Sequence, residues 1–230
     1  MHVMNGLLIK FTDLNYIESV SNGKIHFESL GKYQDMELVS GNQIQGDKFE
    51  GGIRSIMPSF GSEEVEMIVI TKASRQIYVS CFTILEFGKE LIWNKKSRSY
   101  QLNPVVIEDL KAISGERPAS IFNLLDVTKE IDKVIRLKAV RKYGRVNYVA
   151  NNKQIKESPL VIDLNRAFIK GIEYETQHEW RIACAVSKDR MQPFDLNLNL
   201  SGKIISNYKD LTTLRVKRNW LTKKNKFFFK

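Results

Sequence analysis

KGIEYETQHEWR, Lys170 to Arg181, is the stretch on which the fold and the chemistry turn. It gathers Glu173, Glu175, Gln177, His178, Glu179 and Arg181 directly before the apolar run Ile182–Val186. The pattern predicts a strand over Glu179–Val186 that opens on polar residues. In a strand, residues i and i+2 share a face. Gln177, Glu179 and Arg181 then project together, and Arg181 pairs with Glu179 and sets its rotamer. A carboxylate so placed accepts hydrogen bonds from sugar hydroxyls and stabilises a cationic sugar in a transition state. A neighbouring amide orients a nucleophile without ionising. The same spacing also suits a solvated polar strand edge, and short motifs alone do not separate the two.

Working outward, alternating apolar segments predict strands at Gly6–Phe11, Lys24–Glu28, Glu63–Thr71, Gln76–Phe82, Lys133–Val140, Arg145–Ala150 and Phe194–Leu200. Edge strands are expected at Lys203–Ser206 and Thr212–Lys217. A helix is expected over Asp13–Asn22, stopped by Gly23, and another over Pro104–Ile113, opened by its proline. Pro159–Lys170 reads as an amphipathic segment, and Ala119–Thr128 is ambiguous. Residues 29–61 hold six glycines and little periodicity, so a long irregular stretch is expected there. Many strands with few helices, and no regular βαβ alternation, argue for an α+β fold with mostly antiparallel sheets.

The 230 residues carry 36 Lys and Arg against 26 Asp and Glu, a net charge of +10. That excess points to an anionic partner. Two cysteines, Cys81 and Cys184, rule out a disulfide framework and favour a cytoplasmic location. No apolar run is long enough to span a membrane, and no signal peptide is read at the start. No HExxH or Cys-rich ligand set occurs, so no metal is expected. Phosphate-loop, kinase and serine-hydrolase signatures are absent. His26 and His178 read as packed or surface residues, and Trp93 and Trp180 as core aromatics.

Several segments resemble known families. Lys170 followed by Gln177-His178-Glu179-Trp180-Arg181 is similar to the closing K…E-x-E-[YW]-R signature of a widespread bacterial and phage family of unknown function. Gly46–Gly51 (GDKFEG), Tyr78–Thr83 (YVSCFT) and Leu91–Trp93 resemble its earlier landmarks. The order Lys10–Thr12, Tyr78–Thr83, Gln177–Glu179 is also similar to the ADP-ribosyltransferase fold, a split, mostly antiparallel sheet with an [EQ]-x-E late strand. Phe11–Gly23 (FTDLNYIESVSNG) resembles the opening of DNA-targeting ADP-ribosyltransferase toxins of the DarT type, with Asn15 and Gly23 at matching spacing. Thr12 stands about where those proteins carry His.

The resemblance implies a single ADP-ribosyltransferase-like domain over residues 1–214, using NAD as substrate. Glu179 would stabilise the oxocarbenium, and Gln177 would position the acceptor. Thr12, Asn15, Ser80 and Thr83 would contact NAD, and Arg54 would meet its pyrophosphate. It also implies a toxin or phage-defence role, with an acidic antitoxin as a candidate partner.

Residues 215–230 read as a basic, aromatic C-terminal tail holding seven cations and no acid. Arg215, Lys217, Arg218, Lys223, Lys224 and Lys226 are its candidate nucleic-acid contacts, with RNA or DNA as the target. A second basic band is expected at Lys133–Lys142. A non-catalytic nucleic-acid-binding protein and an NAD glycohydrolase are the alternative readings.

Overall fold

The structure is a computed structural model that describes residues 5–40, 53–58, 64–69, 76–134, 141–149, 164–185, 192–218 and 225–229, with side chains left aside at 37, 38, 40, 53–58, 64–69, 218 and 225–227. In chain order its elements are β1 (Gly6–Phe11), α1 (Ile17–Ser21), β2 (Lys24–Ser29), α2 (Leu30–Ser40), β3 (Ile53–Pro58), β4 (Glu64–Val69), β5 (Ile77–Glu86), β6 (Leu91–Asn94) and β7 (Ser99–Leu102). There follow α3 (Val105–Ser114), β8 (Ala119–Asn123), α4 (Leu124–Val134), β9 (Arg141–Arg145), β10 (Asn147–Val149), β11 (Ile169–Gly171) and β12 (Glu179–Ala185). The chain closes with β13 (Phe194–Asn197), β14 (Lys203–Ile205), α5 (Tyr208–Thr212), β15 (Leu214–Arg218) and β16 (Asn225–Phe229). The fold is mixed α+β, and every pairing between these strands is antiparallel except β10 with β11.

β5, ten mostly apolar or β-branched residues, organises the main sheet. β12 pairs along it from Ile77 to Thr83. β1 pairs with Thr83–Glu86, and β2 with Tyr78 and Val79. A strand has only two edges, and β12 shares partners with both β1 and β2. β1 and β2 must therefore follow one another along the opposite edge. The sheet forks there: β1 continues to β8 and β14, whereas β2 continues to β13. Between the branches, Ser80–Phe82 pair with neither strand on that edge.

Alternation along β5 sorts the core. Tyr78, Phe82 and Ile84 pack with Trp180, Ile182, Val127 and Ile131 on one face. On the other face Ile77 and Val79 join a cluster with Phe168 and Ala183. Leu85 joins a separate cluster with Leu7, Ile9, Leu110, Leu214 and Val216. Cys81 and Thr83 lie on that same face between the two clusters, which leaves a polar gap.

Several expected elements form as read, among them β1, β2, β12, β13, β14 and the helix after Pro104. Others differ. The supposedly irregular residues 29–61 contain α2 and β3. β3 pairs with β4 in a separate two-stranded ribbon, so the Gly-rich region borders regular structure. Ala119–Thr128 divides into the buried strand β8 and the start of α4. Lys133 and Val134 close α4 rather than open a strand, because Leu124, Val127 and Ile131 fall on one buried helical face. Residues 135–140 and 159–163, parts of two further expected elements, lie outside the described residues, as does the Gly46–Gly51 segment. Trp180 is a core residue as expected. Trp93 is instead 51% exposed, on the edge strand β6.

Candidate functional site

The gap between the two apolar clusters is a cavity of about 360 Å³. Its floor comes from neighbouring positions of paired strands, since Glu179 is opposite Thr83 and Arg181 opposite Cys81. Glu179 and Arg181 share a face, as their spacing predicts. Arg181 Nε donates to Glu179 Oε1 at 2.7 Å and Nη2 to Oε2 at 3.0 Å. Arg181 Nη1 also donates to the Ala167 carbonyl at 2.7 Å, which anchors the guanidinium.

Gln177 reaches the cavity by a different route from the one its spacing implies. It ends a 3-10 turn at Ile172–Gln177, and His178 then adopts a left-handed conformation, φ 46°. The strand begins only at Glu179. The amide and carboxylate are brought together by Lys170, whose Nζ lies 2.8 Å from Gln177 Oε1 and 2.9 Å from Glu179 Oε2. Tyr148 holds the backbone at this point by accepting the Glu179 N–H at 2.9 Å.

The third contributor comes through the fork. Lys10 on β1 donates from Nζ to Cys81 O at 2.8 Å and to Ser80 Oγ at 3.0 Å. It occupies the stretch of β5 edge that neither branch pairs with, and it lies 5.0 Å from the centre of the Phe82 ring. Arg117 enters from beyond α3, where it donates to the terminal carbonyls of Ile113 and Ser114. Lys32 comes from α2, and His26 and Glu28 from β2.

The electrostatics are lopsided. Lys10, Lys32, Arg117, Lys170 and Arg181 line the cavity against two carboxylates, Glu28 and Glu179. Burial opposes charge on Glu179, but Arg181 and Lys170 outweigh it and hold its carboxyl well below the usual range. Burial lowers the Lys10 ammonium, with Cys81 and Glu179 working in the opposite direction. Burial and the Glu179 charge push the Cys81 thiol up to about 12, so it stays protonated. A pocket with this cationic balance suits an anionic ligand, and its volume is within the range of about 300–1,000 Å³ typical of small-molecule sites.

Of the site residues read from sequence, Glu179, Gln177 and Thr83 line the cavity. Ser80 is buried beneath it and is held by Lys10. Thr12 and Asn15 do not line it; Asn15 is exposed in the turn before α1. Arg54 lies in β3, with its side chain outside the description. Arg215, Lys217 and Arg218 belong to β15, Lys226 belongs to β16, and Lys223 and Lys224 lie outside the described residues. Lys32 and Arg117 are not among the site residues read from sequence, and Lys10 enters there only as the first position of the Lys10–Thr12 landmark. Nothing local marks Lys32 or Arg117, because α2 and the end of α3 bring them in from distant sequence. His26 faces the cavity side of β2 and meets Asp195 at 2.8 Å, while Ile25 and Phe27 take the core side.

A second polar cluster lies beside a cavity of about 610 Å³. His178 Nε2 is 2.9 Å from Asp109 Oδ2, and Nδ1 is 3.4 Å from Glu90 Oε1. Arg145 pairs with Glu90 and, at 3.1 Å, with Glu86. Burial works against the charge of Glu90, but the His178 and Arg145 hydrogen bonds bring its carboxyl down to about 2. His178 is therefore an ion-paired bridge between β12, α3 and the turn after β5.

No group of metal-ligating side chains occurs among the described residues. No described helix is long and apolar enough to cross a membrane. Comparison of the chain with protein-family models, curated proteins and solved structures gives no match.

Proposed function

We propose that the cavity at the fork binds NAD and that the protein is an NAD-dependent ADP-ribosyltransferase acting on a macromolecule, with nucleic acid as the favoured acceptor. The observation that carries this reading is the meeting of three sequence-distant landmarks, Lys10 on β1, Ser80–Thr83 on β5 and Gln177–Glu179 at the head of β12. Their order along the chain is the one the ADP-ribosyltransferase resemblance implies, and the forked antiparallel sheet is compatible with it.

In this reading Lys10, Lys170 and Arg117 receive the pyrophosphate charge. Glu179 faces the nicotinamide ribose. As the ribose C1′–N bond breaks, its electron pair leaves with nicotinamide and positive charge grows on the ribose, where the ionised Glu179 lowers its energy. Gln177 aligns the acceptor atom, which bonds to C1′ and loses its proton. Lys170 is shared between Gln177 and Glu179, so phosphate binding that draws Lys170 away would open a lone pair on Glu179 Oε2 to the sugar, while Arg181 keeps the carboxylate in place.

Adenylate-labelled NAD, mixed separately with RNA, single-stranded DNA, duplex DNA and lysate protein, tests the proposal. Label is expected on one polymer, with Glu179→Gln about 10²–10³-fold slower. Free nicotinamide without labelled polymer would indicate a glycohydrolase. NAD that stays intact with every acceptor would overturn the enzyme reading. A second reading, binding of an anionic nucleotide without turnover, draws on the two cations already committed to Glu179. It expects NAD to bind and remain whole.

A further inference from the structure

We propose that the outer face of the four-stranded sheet β16-β15-β7-β6 binds single-stranded nucleic acid. This names a surface for the acceptor in the reading above, but it rests on other residues and on binding alone.

The sheet has two unlike faces. Leu214 and Val216 of β15 are fully buried in the core cluster with Leu91 and Leu102. Alternation therefore puts Arg215 and Lys217 on the opposite, outer face. Register extends that face across all four strands: Arg215 is opposite Phe228 on one side and Gln101 on the other, and Gln101 is opposite Ile92. At about 4.8 Å between strands, this row spans roughly 14 Å. Ile92 is 40% exposed and Phe228 37%.

The charge on this sheet is of one sign. None of its four strands, nor the turn joining β6 to β7, contains Asp or Glu. That turn carries Lys95, Lys96 and Arg98, all exposed. The pairing of Val216 with Tyr100 brings it to the Lys217 end of β15. Lys217 Nζ stands 5.6 Å from the centre of the Phe228 ring, so a cation flanks the exposed aromatic. Among the described residues Arg215 Nε is buried without a hydrogen-bond partner, although Nη1 reaches the Leu214 carbonyl at 2.8 Å.

An exposed ring beside cations that form no ion pair among the described residues, on an open sheet, matches the chemistry of a single strand. Phosphates neutralise the lysines and arginines, and an unstacked base lies on the ring. A duplex keeps its bases stacked and offers the ring nothing, so the aromatic favours the single strand over duplex.

Fluorescence anisotropy of the full chain with labelled 20-nucleotide oligo(U), oligo(dT) and a 20-bp duplex tests this across a salt series. Single strands are expected to bind about 10-fold or more tightly than duplex, and affinity should fall steeply with salt. Phe228→Ala should weaken single-strand binding about 10-fold. Lys217→Glu together with Lys96→Glu should weaken it further and flatten the salt dependence. A thermal melt checks that each variant is folded, and the two surface lysines keep the test valid if Phe228→Ala is unstable. Oligo(U) against oligo(dT) distinguishes RNA from DNA. Glu179→Gln should bind like wild type, which separates this surface from the NAD reading. Equal affinity for duplex, unchanged binding in folded variants, or no binding at low salt would each overturn the proposal.

Discussion

Glu179 and His178 are neighbours, yet their side chains serve opposite sides of one strand start. Glu179 keeps its charge because two cations outweigh its burial. The charged form of His178 is favoured in the same way: burial lowers its pKa, but the hydrogen bonds to Glu90 and Asp109 reverse the sign and leave it raised. A histidine raised on folding contributes stability below its unfolded pKa of about 6.5, and that stability is lost as pH rises through the higher folded value. The melting temperature should therefore decline above about pH 6.5. His178→Asn, which tolerates the left-handed backbone, should reduce that decline. Identical pH profiles for the two proteins would show that the Glu90–His178–Asp109 bridge does not contribute. Spacing alone puts Gln177 and Glu179 on one strand face; in the structure they share one cavity but not one strand. The left-handed His178 breaks the period, and Lys170 restores the pairing by a contact seven residues back from Gln177.

Among the elements, β2 and the segment after β13 are joined by a close backbone approach at Gly23. Gly23, in the turn from α1 to β2, has φ 87°, and its carbonyl accepts the Leu198 N–H at 2.9 Å. A Cβ there would sit 2.1 Å from the Leu198 carbonyl oxygen. Gly23→Ala combines a left-handed penalty with that clash and should cost about 2–3 kcal/mol in urea unfolding. A loss below about 0.5 kcal/mol would mean that the turn relaxes freely. The sequence marks Gly23 as a helix stop and as a spacing match in the Phe11–Gly23 resemblance. That it also carries the junction between β2 and the segment after β13 depends on a residue 175 positions away.

The whole molecule draws its C-terminal segment into the core. Leu214 and Val216 are fully buried, and Phe229 packs against the same cluster. Burying each such side chain contributes about 1.5–3 kcal/mol. Truncation after Thr213 should therefore cost about 3–6 kcal/mol from Leu214 and Val216 alone, a large share of a typical domain's stability. Thermal unfolding of the truncated chain measures this directly, and an unchanged midpoint would show the segment to be a dispensable tail. Composition correctly marks residues 215–230 as basic and aromatic. It does not show that alternate residues of β15 face inward, because a run such as LRVKR reads equally well as an edge strand or an extended tail.

The sequence by itself determined the α+β class, most strands, the helix after Pro104, and the Glu179–Arg181 pair. These depend on contacts a few residues apart or on hydrophobic period, which local sequence records. Only the tertiary structure decided that β5 carries two branches on one edge, and that Lys10 fills the gap between them. It alone brought Arg117 and Lys32 to the cavity that Glu179 lines, and separated Asn15 and Thr12 from it. Those outcomes follow from how strands share edges and how apolar clusters divide a sheet face. Both are properties of pairings between residues tens to more than a hundred positions apart, and no local pattern encodes them.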